Sequence, residues 1–176
     1  RVKYLLLNLL GVTIHLTAVV FLPLCFFIHK RLRRRTYLFI ILLLFILIAP
    51  ITNLIGSYLL STRYSMYLTN GAYNSLTGFN LSSVLNLLCF LGYLFYSKKT
   101  PKNNVYLNIH FIGLIVSLFL LRIPLALRLF MSFRYIEFLS VPNLIADLEI
   151  TKRKRTIIIA IVMIFYTIYL INGVYI

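Results

Sequence analysis

An otherwise apolar stretch of the chain carries four charged side chains. The segment RIPLALRLFMSFRYIEF, at residues 122–138, contains Arg122, Arg128, Arg134 and Glu137. An arginine near the centre of a bilayer costs about 2.5 kcal/mol or more, so such residues usually face other protein or an aqueous cavity. The guanidinium group offers a planar set of donors for phosphate or carboxylate and keeps its proton. The pattern therefore indicates an anion-binding site.

Arg128 is the strongest candidate among these cations. Arg134 has Glu137 three positions later on the same helix face, where the two can form an ion pair. Arg128 has no carboxylate within reach along its own helix, and it shares a face with Ser132 and Tyr135. We therefore expect Arg128 to bind an anionic ligand, with Arg134 and Tyr135 beside it.

A second group of candidates lies in the outer connections. The loop at residues 61–75 places Tyr64 and Tyr67 beside Arg63. Aromatic rings can form a platform for sugar rings, although tyrosines at a membrane boundary also form an aromatic belt. The alternatives to a binding role are that Arg63 is a solvated loop charge and that Arg122 is a helix-end residue that reaches lipid headgroups.

His15 is the candidate general base. It lies between Thr13 and Thr17 in the outer half of the first apolar run, where a neutral imidazole open to a cavity could take a proton. The alternative is a hydrogen-bonded packing residue. His110 falls near the cytoplasmic end of a later run, and we expect it to pack at the membrane interface.

Motifs of soluble enzymes are missing from the sequence. It contains no Gly-rich phosphate loop, zinc-ligand spacing or nucleophile elbow. Glu137, Asp147 and Glu149 are the only acids, so a hydrolase with paired carboxylates is not expected. Cys25 and Cys89 lie within apolar runs without CxxC spacing and are expected to pack as small apolar residues. No metal site and no cofactor are predicted.

The composition defines the elements that must position these residues. The chain has 176 residues, 61% of them hydrophobic, and a mean hydropathy of +0.95, which is typical of an integral membrane protein. A helix needs roughly 20 apolar residues to cross a bilayer. We predict an all-α polytopic bundle that forms a single domain over residues 1–176, with about six transmembrane helices. The predicted spans are Tyr4–Ile28, Tyr37–Leu60, Leu76–Tyr96, Val105–Leu121, Leu127–Leu148 and Thr156–Ile176.

The charge distribution gives the orientation. Twelve of the eighteen Lys and Arg residues lie in the segments 30–35, 98–102 and 152–155, which fall in alternate connections. The positive-inside rule places these segments on one cytoplasmic face, where they contact anionic lipids. The net charge of +15 is therefore explained without nucleic acid, which we do not expect as a partner.

Small and polar residues recur at helical spacing within the spans, which is typical of a face turned toward other helices. The alternative to a functional role is close packing with interhelical hydrogen bonds. The clearest series are Asn80, Ser83 and Asn86 in the third span, His110, Gly113 and Ser117 in the fourth, and Ala49, Thr52, Asn53, Gly56 and Ser57 in the second.

Two segments resemble a known family. GVTIHLTAVVFLPLCFF, at residues 11–27, and RLFMSF, at residues 128–133, are similar to motifs of the EpsG-like, or Wzy-like, bacterial polysaccharide polymerases. Pro142 and the basic segment before the last helix also follow the pattern of that family. Because the chain begins with Arg1 and ends within an apolar run, we expect it to be a fragment, and the resemblance implies that it is the C-terminal portion of a longer protein.

The resemblance implies a function and a location. Such proteins join oligosaccharide repeat units carried on polyprenyl diphosphate at the outer face of the bacterial cytoplasmic membrane. It also implies membrane lipids as partners and leaves open contacts with other polysaccharide-assembly proteins. Carried over to this chain, His15 and Arg128 are the catalytic candidates. The substrate-binding candidates are Arg63, Tyr64, Tyr67, Arg122, Arg134 and Tyr135.

Three other functions use the same features. A transporter or flippase for lipid-linked sugars could use the arginine-lined cavity without forming a bond. A membrane acyltransferase that modifies surface glycans could use a histidine with arginine. A helical subunit without a site would use the polar residues for packing alone.

Overall fold

The computed structural model describes residues 2–14, 22, 24–61, 65, 81–119, 129–131, 133 and 135–173. Within these ranges the chain is helical and contains no strand, which confirms the all-α prediction. Seven helices are numbered here in chain order: α1 Val2–Ile14, α2 Leu24–Phe27, α3 Arg34–Leu60, α4 Leu81–Phe95, α5 Pro101–Phe119, α6 Glu137–Asp147 and α7 Lys152–Gly173.

Two of these helices begin earlier than predicted because threonines cap them. Thr100 Oγ1 accepts a hydrogen bond from Asn103 N at 3.2 Å, and Pro101 takes the first helical position, where its missing N–H costs nothing. Thr151 Oγ1 accepts from Lys154 N at 3.5 Å in the same way. The basic segment 152–155 is therefore the first turn of α7 and not a loop.

Two predicted spans are not single helices. The first is divided into α1 and α2, with Leu22 in a turn, and α2 starts directly after Pro23 in the sequence. In the fifth predicted span, Tyr135 and Ile136 form a turn. Ile136 N donates a hydrogen bond to the carbonyl of Phe133, three residues earlier, at 3.4 Å. The prediction of one helix through Tyr135 and Ile136 is wrong.

The packing is centred on the α4–α5 pair, which makes the most extensive contact between helices; α3 packs on α5, α6 on α4, and α7 on α6. Aromatic rings fill the space between α3, α4 and α5. Tyr37 meets Phe111 edge to face, with ring centroids 4.9 Å apart, and Phe90 at 6.0 Å. The fully buried cluster contains Tyr37, Phe90, Tyr93, Leu94, Leu107, Phe111 and Leu114.

Gly113 allows α5 to approach its neighbours closely. A Cβ at this position would lie 3.1 Å from Asn86 Nδ2 and 3.2 Å from Phe133 Cβ. A Cβ added at Gly56 on α3 would have no atom of another residue within 4 Å. The small-residue stripe of the fourth span is thus a true packing face, because His110 and Ser117 are buried as well.

The stripe predicted for α3 is only partly correct. Thr52 is buried, but Asn53 and Ser57 are exposed. Thr52 donates its hydroxyl hydrogen to the carbonyl of Ile48 at 2.7 Å and Ser57 to that of Leu54 at 2.8 Å. Bonds of this kind satisfy a hydroxyl on its own helix, so these positions need no interior partner.

Large apolar side chains cover the outside of α3 and α7. Leu54 is 73% exposed on α3, and Met163 is 63% exposed on α7. By length and composition, α3 is the one described helix that could cross a membrane by itself, over Arg34–Tyr58, and α4 contains the shorter apolar stretch Ser83–Phe95. Contiguous apolar exposure of this extent fits a lipid-facing surface.

The three basic segments meet at one end of the bundle. Arg31 donates to the carbonyls of Tyr93 at 2.8 Å and Leu94 at 3.0 Å, and Arg34 Nε donates to Leu94 at 3.1 Å. These carbonyls belong to the last turn of α4, where helix geometry leaves acceptors without intrahelical partners. Partial burial lowers the pKa of the Arg31 guanidinium, which nevertheless remains charged at physiological pH.

Asn108 holds the connection between α2 and α3 against α5. Its Nδ2 donates to the carbonyls of Phe27, Ile28 and Lys30 at 2.7–2.9 Å. Its Oδ1 accepts from Tyr37 Oη at 2.6 Å. The start of α3 is therefore fixed by one amide on α5.

Candidate functional site

A buried polar cluster joins α4, α5 and α6 at the centre of the bundle. His110 Nδ1 lies 2.8 Å from Asn86 Oδ1, and His110 Nε2 lies 2.8 Å from Ser140 Oγ. All three residues are 0% exposed. His110 is nine residues from the start of α5, so it lies about 14 Å from the basic end, well inside a bilayer core of about 30 Å.

The hydrogen bonds assign the state of the imidazole. Asn86 Nδ2 donates to the His110 carbonyl at 3.0 Å, which turns Asn86 Oδ1 toward the ring. An amide oxygen only accepts, so His110 Nδ1 carries the proton. In the neutral ring Nε2 is then an acceptor for the Ser140 hydroxyl. The expectation that His110 packs at the interface is wrong, because the residue links three helices in the interior.

A second set of polar contacts extends from this cluster to the basic end. Tyr93 Oη donates to the Ser140 carbonyl at 2.6 Å. Asn143 Nδ2 donates to Asn103 Oδ1 at 2.8 Å and lies 3.3 Å from Tyr93 Oη. Asn103 Nδ2 in turn donates to Asp147. Polar side chains thus fix the position of α6 along much of its length.

Glu137 places a carboxylate beside this cluster, at the start of α6. Its side chain is 1% exposed, and its Oε2 accepts a hydrogen bond from Tyr166 Oη of α7 at 3.0 Å. A buried carboxylate requires compensating hydrogen bonds or charge, and the tyrosine provides one of them. The predicted pair with Arg134 lies outside the described residues.

The order of hydroxyl, imidazole and amide in Ser140, His110 and Asn86 is that of a nucleophile, its base and an orienting group. Complete burial excludes that chemistry in this arrangement, because no substrate atom can reach Ser140 Oγ through the described residues. The cluster instead satisfies polar groups in an apolar surrounding and sets the register of three helices. It links α4, α5 and α6 to one another.

The two segments that resemble family motifs share one apolar cluster. Phe130 and Phe133, from RLFMSF, are buried together with Leu24, which belongs to the first motif, and with Val116 of α5. Phe27 and Leu129 pack against the same cluster. Segments that are more than 100 residues apart in the sequence are thereby neighbours in the fold.

Tyr135 is the predicted site residue that the structure describes. It is 69% exposed, in the turn that precedes α6 and two positions from the buried Glu137. The other predicted site residues lie outside the described residues: His15, Arg63, Tyr64, Tyr67, Arg122, Arg128 and Arg134.

Sequence reasoning missed the roles of Ser140 and Tyr166. The helical spacing of polar residues on α4 and α5 correctly identified Asn86 and His110 as interior. Ser140 lies four positions before Leu144, so the two residues share the face of α6 that contacts α4. We predicted no partner for the Ser140 hydroxyl from the sequence. Among the described residues, no group of three or more His, Cys, Asp or Glu could hold a metal ion.

Within the described residues, these features define an all-helical protein with a polar cluster in an apolar core and an apolar exterior, in which two motif segments converge. The chain belongs to the EpsG family, whose model matches residues 1–176. That family is the Wzy-like polymerase family, so membership indicates a membrane protein with a general polysaccharide polymerase-type function that acts on lipid-linked sugars. Neither the curated proteins nor the solved structures provide a match to the chain.

Proposed function

We propose that the protein polymerises oligosaccharide repeat units carried on polyprenyl diphosphate into a surface polysaccharide at the outer face of the bacterial cytoplasmic membrane. The observation that carries this proposal is the family match over residues 1–176. The convergence of the two motif segments on the cluster of Leu24, Phe130 and Phe133 supports it.

The proposed architecture is a single domain of six transmembrane helices. The contacts of Arg31, Arg34 and Arg155 with the carboxyl ends of α4 and α6 bring all three basic segments to one end, as expected for a cytoplasmic face. The loop at residues 61–75 and the segment that contains Arg122 then belong to the outer side, where the lipid-linked substrate is presented.

The proposed reaction is a glycosyl transfer between two lipid-linked chains. An acceptor hydroxyl oxygen attacks the anomeric carbon of the donor sugar, and the bond from that carbon to the diphosphate breaks with its electron pair leaving on the diphosphate. Arg128 would bind the diphosphate and stabilise its developing charge. His15 would take the proton of the acceptor hydroxyl.

The remaining candidates would bind the saccharide. Tyr135 presents its ring on the surface, where it could stack on a sugar. Arg63, Tyr64, Tyr67, Arg122 and Arg134 would line the path of the growing chain. The packed cluster of Asn86, His110 and Ser140 supports this arrangement because it fixes α5 and α6, which flank the segment with Arg122, Arg128 and Arg134.

The test is polymerisation by the complete purified protein. Lipid-linked repeat units are incubated with wild type, Arg128→Lys or His15→Ala, and the products are sized. We expect long chains from wild type and a loss of at least about 100-fold from either variant, as for removal of an electrostatic stabiliser or a general base.

The matched control is Arg153→Lys, a change at an exposed cation of the first turn of α7. It should polymerise like wild type. Absence of long products from wild type, or normal chain lengths from both site variants, would contradict the proposal. Movement of the lipid-linked unit across a vesicle without chain growth would indicate the flippase alternative.

A further inference from the structure

A groove of about 530 Å³ lies between α6 and α7, apart from the polar cluster. Its walls are apolar and include Val141, Pro142 and Ile145 of α6 and Ile159, Val162 and Met163 of α7. Pro142 contributes because it lies within α6 and presents a ring in place of a longer side chain. The walls therefore suit a hydrocarbon chain.

The two ends of the groove differ in charge. Glu137 and Tyr166 form the deep end, where the carboxylate accepts from the tyrosine, and Arg155 forms the end at the basic face. Arg155 and Tyr166 are eleven residues apart on α7, which corresponds to about 16 Å along the helix. This length is about half of a hydrocarbon core of about 30 Å, or one leaflet.

Arg155 has donor capacity left at the mouth of the groove. Its Nη2 donates to the carbonyl of Leu148 at 3.2 Å and of Ala146 at 3.5 Å, at the end of α6. Its Nε is buried and has no acceptor within the described ranges. Glu149, in the same connection, lies 3.9 Å from Lys98 Nζ and pairs with that cation instead.

The rest of the mouth is also cationic. Lys152, Arg153 and Lys154 precede Arg155 in the first turn of α7, and no acid occurs in that turn. A helix N-terminus carries partial positive charge and normally attracts acidic side chains. The combined field at this end favours an anion that comes from outside the protein.

We propose that the groove binds an anionic phospholipid of the cytoplasmic leaflet, with its phosphate at Arg155 and one acyl chain along the apolar walls toward Glu137. The order of the charges along the groove favours an anionic phospholipid over the polyprenyl carrier lipid. A carrier lipid would hold its diphosphate at the outer side, whereas the cations of this groove lie at the cytoplasmic end and a carboxylate occupies the deep end. The bound lipid would fill the space between α6 and α7 and hold α7 in place.

The experiment is lipid binding to the complete purified protein in detergent, followed by native mass spectrometry. Phosphatidylglycerol and phosphatidylcholine with identical acyl chains are the probes. We expect phosphatidylglycerol to bind more tightly, and Arg155→Gln to weaken it about fivefold, the effect of one cation at a lipid surface. Arg35→Gln, at an exposed cation in the first turn of α3 that does not line the groove, should change binding less than twofold.

A second pair of variants tests the acyl-chain walls. Met163→Trp places a large ring in the groove and should abolish binding of both lipids, whereas Ile164→Trp, at an adjacent position that is 61% exposed and outside the lining, should not. Thermal unfolding in detergent identifies any variant that is misfolded. The comparison of Met163→Trp with Ile164→Trp tests the proposed lipid site even where Arg155→Gln does not fold.

Three outcomes would overturn the proposal. They are equal losses for Arg155→Gln and Arg35→Gln, unchanged lipid binding by Met163→Trp, and displacement of phosphatidylglycerol by polyprenyl phosphate at a lower concentration than by added phosphatidylglycerol. The last outcome would assign the groove to the carrier lipid. None of these measurements requires polymerisation, so failure of the lipid site and failure of the polymerase proposal are distinguishable.

Discussion

His110 Nε2 on α5 lies 2.8 Å from Ser140 Oγ on α6, with both residues fully buried. This contact is one of several polar links between the α4–α5 pair and α6, together with the hydrogen bonds of Tyr93 and Asn143. In the sequence, α5 and α6 flank the segment that carries the proposed site residues Arg122, Arg128 and Arg134. Removal of the His110–Ser140 contact should therefore affect both stability and function.

We expect His110→Phe to destabilise the protein by about 1–3 kcal/mol, because a ring of similar size leaves Asn86 Oδ1 and Ser140 Oγ buried without their partner. Thermal or denaturant unfolding in detergent measures the change. Leu88→Ala on α4, at a side chain that is 58% exposed, should stay within about 0.5 kcal/mol of wild type. A His110 variant as stable as that control would argue against the link.

Gly113→Ala and Gly56→Ala should shift stability in opposite directions. At Gly113 the added methyl would meet Asn86 and Phe133 at 3.1–3.2 Å, and overpacking of this kind costs about 1–3 kcal/mol. At Gly56 nothing lies within 4 Å, so the gain in helix propensity of about 0.5–1 kcal/mol should dominate. Parallel unfolding curves of the two variants provide the measurement, and equal shifts would contradict the packing described for α5.

Phe130→Ala should lower stability by about 3–5 kcal/mol, the usual cost of deleting a buried aromatic side chain. Phe130 is 0% exposed and shares its cluster with Leu24 and Phe133. We also expect shorter polysaccharide products, because the cluster brings the two motif segments together. Phe138→Ala, at a ring that is 62% exposed, is the control for loss of an aromatic side chain in the same region.

Tyr135→Ala should leave stability unchanged within about 0.5 kcal/mol, because the side chain is 69% exposed. If the ring stacks on a sugar, polymerisation at low substrate concentration should fall several-fold, and Tyr135→Phe should retain most of it. The measurement is the rate of chain growth against substrate concentration. Unchanged rates for Tyr135→Ala would remove this residue from the saccharide path.

Sequence patterns predicted the interior of α4 and α5 well. Asn86, His110 and Gly113 were identified by helical spacing alone, since a polar or small residue that repeats every three or four positions marks one helix face. The patterns did not reveal that His110 lies deep in the bundle. Its contacts depend on the crossing of three helices, which a single helix period does not contain.

Contacts between distant helices were the part that could not be predicted. Glu137 had an evident local partner in Arg134, but the hydrogen bond from Tyr166 spans 29 positions and depends on how α7 lies against α6. Tyr166 also lies in a largely apolar stretch of α7, where the sequence does not indicate which helix its hydroxyl contacts. The turn at Tyr135 and Ile136 was missed because no Gly or Pro marks it, the nearest being Pro142.

Arg31 and Arg34 have a consequence for membrane insertion. In the proposed topology, their positive charge favours retention of the connection before α3 on the cytoplasmic side. As donors to Tyr93 and Leu94 they also require the end of α4 to emerge on that same side. An inverted α4 would leave the last carbonyls of α4 without these donors, so the same guanidinium groups that direct topology also discriminate against its errors.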